Sequence, residues 1–159
     1  IRDVEMVHVT SAKDMAEAVL SRQNDMDCMI LAAAVADYTP VSVADNKIHK
    51  SEGEMSIPLK RTQDILKTLG ENKKDGQVLI GFSMETENML ENSRRKLDKK
   101  NLDMIVANNL KDKGAGFGVD TNLITIITRD RELQLELMSK QDAANCILDE
   151  IIRKTGNRE

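Results

Sequence analysis

Residues 29–50 read Met29-Ile30-Leu31-Ala32-Ala33-Ala34-Val35-Ala36-Asp37-Tyr38-Thr39-Pro40, then VSVADN over 41–46, then Lys47-Ile48-His49-Lys50. The opening is an apolar run of strand length. It narrows to alanines, where the backbone or base of another molecule can lie close. An acid, a Tyr-Thr-Pro turn and a basic cluster follow. An apolar strand feeding a small-residue rim and a cationic loop is how open α/β sheets present a nucleotide site, at the carboxyl end of a strand. A buried strand followed by an ordinary solvated loop is the competing reading of the same residues.

Strand and helix signals alternate on both sides of this stretch. Before it, residues 4–9 form a strand candidate, and Ser11 with Asp14 forms a capping box. Ala12, Met15, Ala16, Val19 and Leu20 then carry a helix to about residue 23. Residues 27–33 are apolar on both faces and are expected in the middle of a parallel sheet. Residues 35–54 lack periodicity, as a functional flap or a disordered segment would. Residues 55–59 contain Pro58 and suit an edge strand. Thr62 is expected to cap a helix running to about residue 73, with Ile65, Leu66 and Leu69 inward. Residues 77–82 form a strand, and a helix from residue 85 or 86 to 100 turns Met89, Leu90 and Leu97 inward. Residues 102–107 are a strand and 111–121 a Gly-rich loop. Residues 123–128 and 133–137 alternate across Arg129-Asp130-Arg131, as a β-hairpin does. Ser139 with Asp142 opens a last helix with Ala143, Ile147, Ile151 and Ile152 inside. The pattern predicts an α/β fold of Rossmann-like, three-layer form: a mostly parallel sheet flanked by helices, with a C-terminal antiparallel hairpin. No linker or repeat interrupts it, and 1–159 is read as a single domain.

Composition narrows the function. A net charge of -4 leaves no basic footprint, and aromatics are only Tyr38, Phe82 and Phe117. Nucleic-acid binding is therefore not expected. No apolar run approaches the ~18 residues of a membrane span, and Ile1-Arg2-Asp3 is unlike a signal peptide, so the expected compartment is the cytoplasm. Cys28 and Cys146 lie in apolar runs without a C-x-x-C, and only two histidines are present. They read as small buried hydrophobes in a reducing compartment, not as zinc ligands.

Candidate chemistry rests on cations and turns. Lys47, His49 and Lys50 lie on the long loop, where they are either a flap over phosphates or ordinary solvated residues. Lys96 and Lys100 share a helical face and repel by ~0.2–0.5 kcal/mol, which an anion would reverse. The helix macrodipole alone also favours cations there. The turn 81–86 can aim backbone N–H groups at a phosphate, with Phe82 against a base or simply packed. The run Gly114-Ala115-Gly116-Phe117-Gly118 lies between strands and is not a dinucleotide fingerprint. No nucleophile-and-base set is evident. Chemistry by positioning and charge neutralisation, such as nucleotidyl transfer with Mg²⁺, suits this inventory.

Taken together, residues 32–38, Lys47-Ile48-His49-Lys50, Gly81-Phe82 with Glu85-Thr86, Lys96 through Asn101-Leu102-Asp103, 106–108, and 116–118 with 120–122 resemble phosphopantothenoylcysteine synthetase. That family is the phosphopantothenate–cysteine ligase half of the bifunctional bacterial coenzyme A flavoprotein. The resemblance implies coenzyme A biosynthesis. The 4′-phosphopantothenate carboxylate attacks the α-phosphorus of CTP, with Mg²⁺, and releases pyrophosphate. The amine of cysteine then attacks the acyl-cytidylate, giving 4′-phosphopantothenoylcysteine and CMP. It further implies that Leu31, Ala32 and Ala33 line the cytosine pocket and that Asp37 lies at the nucleotide. Gln63, Asp64, Ile65 and Leu66 would contribute backbone contacts, and Phe82 would lie against the nucleotide. Lys96 and Lys100 would hold phosphates, and Lys47 would act on the acyl intermediate. A homodimer is implied, and FMN only on a fused decarboxylase domain.

Two motifs depart from the family. Thr62-Gln63-Asp64-Ile65 stands where Asn-Pro-Asp-Ile is usual, so the tight proline turn is absent. His49 stands where a third lysine is usual. The family's opening strand and Gly-rich phosphate turn are not found, which implies a fragment whose separate activity is open. Two other readings compete. One is an NAD(P)-dependent oxidoreductase, disfavoured because no G-x-G-x-x-G follows the first strand. The other is a nucleotide-binding or dimerisation module that uses the hairpin.

Overall fold

A computed structural model describes residues 3–49, 53–85, 87–109 and 118–156. The helices are α1 (Ala12–Leu20), α2 (Ile65–Glu71), α3 (Met89–Lys99) and α4 (Lys140–Gly156). The strands are β1 (Cys28–Leu31), β2 (Tyr38–Pro40), β3 (Leu59–Arg61), β4 (Val78–Glu85), β5 (Met104–Asn109), β6 (Thr121–Asn122), β7 (Ile124–Thr128), β8 (Glu132–Gln134) and β9 (Met138–Ser139). The chain divides into two compact units, Ile1–Arg22 with Ala34–Ile65, and Gln23–Ala33 with Leu66–Glu159.

The second unit carries a five-stranded sheet in the order β1-β4-β5-β7-β8. The β1–β4 and β4–β5 pairs are parallel, and β5–β7 and β7–β8 are antiparallel. The mostly apolar β4 follows from cover on both faces, as in parallel sheets generally. On one face Val78, Ile80, Met104, Val106, Ile124 and Ile126 pack with Ala143 and Ile147 of α4. Each buried Val, Ile or Met among them contributes about 1.5–3 kcal/mol. On the opposite face Gly81 meets α2: a Cβ there would lie 2.6 Å from Leu66 Cδ2. Leu97 and Ser93 bury the inner side of α3, which lies along β4 and β5. This is the Rossmann-like arrangement with a terminal antiparallel hairpin.

Several local expectations are corrected. Residues 4–9 form no strand, and Val4 and Met6 are exposed. A strand needs a neighbour's backbone, and this segment has none among the described residues. β1 is at the edge of the sheet, not its middle, and Ile30 is 44% exposed. Two apolar faces do not imply that both hydrogen-bonding sides are paired. α2 begins at Ile65, and Thr62 instead donates its hydroxyl to Ala36 O at 2.6 Å. β4 runs through Glu85, so α3 starts at Met89 after Asn88, whose φ is 48°. Leu90 and Ile152 point outward. The edge strand expected over 55–59 is displaced to β3 and pairs with β2, whose Tyr-Thr-Pro sequence predicts a turn.

The first unit holds α1 and the β2–β3 hairpin. The capping box of α1 is present: Asp14 N donates to Ser11 Oγ and Ser11 N to Asp14 Oδ2. These bonds outweigh a small burial effect and hold the Asp14 carboxyl below its ordinary value.

Candidate nucleotide site

Strand parity decides what the end of β4 offers. Ser83 and Glu85 share the face that α3 covers, while Phe82 and Met84 turn to the other and are partly exposed. Lys96 is three residues beyond the fully buried Ser93, so it leans back toward the sheet. Its Nζ donates to Glu85 Oε1 at 2.6 Å and to Ser83 Oγ at 3.1 Å. Ser83 Oγ donates in turn to Glu85 Oε1 at 3.0 Å. Asn92 Nδ2 donates to Glu85 Oε2 at 3.4 Å and to Glu87 O at 3.0 Å. Burial pushes the Glu85 carboxyl up, but the bonds from Lys96, Ser83 and Asn92 together bring it below its ordinary value. The result is an anchored carboxylate holding a lysine at the carboxyl end of a central strand.

Lys100 caps α3 one turn later, its N–H bonded to Lys96 O at 3.0 Å. Its carbonyl faces α2, where a Cβ on Gly70 would come within 1.8 Å. Leu31 pairs with Gly81, the residue before Phe82, and Ala32 and Ala33 follow β1 exposed. On the same face as Phe82, Asn108 is in register with Met84, and its buried Oδ1 has no partner among the described residues. Nothing in the Val106-Ala107-Asn108 motif signals that this oxygen is unpaired.

In the first unit, Tyr38 pairs with Arg61 across the β2–β3 hairpin. The Arg61 guanidinium lies 5.9 Å from the Tyr38 ring centre. Thr62 N donates to Asp37 O at 2.9 Å, closing the hairpin. Asp37, Tyr38, Arg61, Thr62 and Asp64 line a cleft of about 220 Å³. Whole-ligand pockets run to roughly 300–1,000 Å³, so this cleft suits one moiety of a larger molecule. Asp37 and Asp64 are thus brought together. Tyr38 and Arg61 were missed, because a two-stranded ribbon could not be read from 38–40 and 59–61. Gln63 is exposed outside that lining and Ile65 is buried. Lys47 is exposed on a segment without regular structure. Lys50, Thr86 and residues 110–117 lie outside the described residues.

Three other observations bear on chemistry. Among the described residues no cluster of three or more His, Cys, Asp or Glu could hold a metal ion. No described helix is long and apolar enough to cross a membrane. Cys28 and Cys146 are free and pack against the core, and burial, with a smaller effect of Asp103, pushes the Cys28 thiol up.

Residues 1–155 match the model of the DNA/pantothenate metabolism flavoprotein C-terminal domain. The chain belongs to that family. A coenzyme A biosynthesis bifunctional protein, CoaBC, of Bacillus subtilis (strain 168) is 51% identical over 97% of this chain. A protein named cysteine/cysteine sulfinic acid decarboxylase, from an unknown prokaryotic organism, is 46% identical over 95% of it. The solved C-terminal domain of a CoaBC protein superposes with a TM-score of 0.76 at 40% identity, over 95% of this chain and 66% of that one. The chain spans 39% and 42% of the two relatives' lengths.

Proposed function

We propose that residues 1–159 form one nucleotide-binding domain of a phosphopantothenate–cysteine ligase in coenzyme A biosynthesis. The observation that carries this is Lys96, a half-exposed ammonium fixed at the carboxyl end of β4, in a chain 51% identical to a CoaBC protein. Lys96 would contact the CTP phosphates, and Phe82 and the Leu31–Ala33 rim would face the nucleotide. Lys100 would add to the positive end of the site. Lys47, exposed on its long segment, would act on the acyl intermediate. Activation would join the 4′-phosphopantothenate carboxylate to the α-phosphorus of CTP with loss of pyrophosphate. The cysteine amine would then displace CMP. Lysines stabilise the charge that develops on the departing phosphates, which needs no protein nucleophile.

Magnesium bound with substrate phosphates needs only one or two carboxylates from a protein. Asp37 and Asp64, both among the residues lining the cleft of the first unit, are the carboxylates that would hold it. When bound, the ion neutralises phosphate charge. FMN belongs to no part of this reading; where a decarboxylase domain is fused to the chain, that domain would hold it and carry out the decarboxylation. The proposal includes a homodimer and a cytoplasmic setting.

Calorimetry with Mg²⁺ and CTP, ATP or NAD tests it. CTP is expected to bind and to raise Tm, because a ligand of the folded state stabilises by mass action. NAD is expected to do neither. No heat and no shift with millimolar CTP would overturn the reading; binding of NAD instead would favour the oxidoreductase alternative.

A further inference from the structure

Lys96 does not stand alone at its site, and its partner has no role in the reaction as proposed above. An ammonium has three N–H donors. Among the described residues, two of Lys96's are taken, by Glu85 Oε1 and Ser83 Oγ. The Lys96 side chain is nevertheless 44% exposed, while that of Glu85 is 16% exposed. The exposed side of the ammonium therefore keeps a donor for an incoming acceptor.

Glu85 cannot follow Lys96 into solvent. It is the last residue of β4, in register with Asn109, and its carboxylate is also gripped by Ser83 and Asn92. Asn92 ties the same group to the turn before α3 through Glu87 O. A free lysine loses rotamer entropy when it is fixed; a lysine already held loses less when its ligand arrives. The same carboxylate also offsets part of the ammonium's charge and so weakens the pull that Lys96 exerts on phosphate.

We propose that Glu85 is a positioning residue of the phosphate site, holding Lys96 in place for a triphosphate and limiting how tightly pyrophosphate is retained. This rests on Lys96 being a phosphate ligand, as argued above. Gln at 85 keeps an oxygen for Lys96 and removes the negative charge. Glu85→Gln, Lys96→Met and the double variant are compared with the parent in the full-length protein. Binding of Mg²⁺-CTP and of Mg²⁺-pyrophosphate is measured by calorimetry, with a thermal melt on each variant.

Glu85→Gln is expected to tighten pyrophosphate about 3- to 10-fold, the scale of one unscreened charge at a half-exposed site. Lys96→Met is expected to weaken it by about 10- to 100-fold, the scale of a charge-assisted hydrogen bond. In the Lys96→Met background, Glu85→Gln is expected to change affinity less than about twofold, since the residue acts through Lys96. A purely structural Glu85 would lower Tm without this coupling. If Lys96→Met weakens binding and Glu85→Gln leaves pyrophosphate affinity unchanged or lower, the limit that the Glu85 charge sets on pyrophosphate is overturned and the nucleotide site stands. If Lys96→Met changes nothing, the assignment of Lys96 falls and this inference falls with it.

Discussion

The two ends of the five-stranded sheet carry the same chemical pair, lysine on carboxylate, and use it in opposite ways. At the amino end Asp103 is 9% exposed. Its Oδ2 accepts from Lys73 Nζ at 2.7 Å and from Leu79 N at 2.9 Å, and Lys154 Nζ lies 3.6 Å from its Oδ1. Its own N–H donates to Leu79 O at 2.9 Å, which joins β4 to the entry of β5. At the carboxyl end Glu85 is similarly anchored, but its lysine is open to solvent on one side. A buried carboxylate with every partner supplied by its own chain is a lock. An anchored carboxylate holding a half-exposed cation is a place where a ligand can enter.

The contrast can be broken by mutation, and the largest effect is expected at the lock. Asp103→Ala strands two lysines and the Leu79 N–H in a nearly dry setting. Removing one partner of a buried pair costs about 3–5 kcal/mol, and about 3 kcal/mol is expected here because Lys73 can reorient toward Asn101 O, already 2.9 Å away. Urea denaturation should show a lower midpoint with an unchanged slope. Lys96→Ala is expected to cost less than about 1 kcal/mol in the same assay, the range of exposed pairs, while nucleotide affinity falls. Equal losses of stability at the two ends would erase the distinction between lock and site.

The smallest effect is expected in acid. The Glu85 carboxyl titrates below its ordinary value in the folded chain. Between the folded and unfolded values the unfolded state binds more protons, so stability rises with pH there. The contribution is complete above the ordinary value and is lost as pH falls through the depressed one. Stability measured against pH should therefore fall less steeply in acid for Glu85→Gln than for the parent. An identical acid limb in both would mean that Lys96 and Ser83 do not hold the carboxylate in solution.

Much of the fold was legible because it is written in local pattern. The apolar β4 and β5, the hairpin of β7 and β8 and the capping box at Ser11 each follow from a few neighbouring residues. Their errors share a cause. Residues 4–9 look like a strand and β1 looks central because side-chain pattern reports which faces are apolar, not which backbone edges are paired. The β2–β3 ribbon escaped notice because its partners are separated by a long segment with no period.

The site divides along the same line. The sequence alone determined which cations and small residues were available, and the order of motifs was enough to suggest the family, since motif order needs no coordinates. It put Lys96 on a helix and Glu85 at a strand–helix junction. Only the tertiary structure decided that these two side chains meet, that Ser83 and Asn92 fix the carboxylate, and that Asp37 and Asp64 share a cleft with Arg61 and Tyr38. Helical and strand periodicity set the direction in which each side chain leaves its own element. Which residue it meets depends on how far one element extends past another, and that length is set by packing across the sheet.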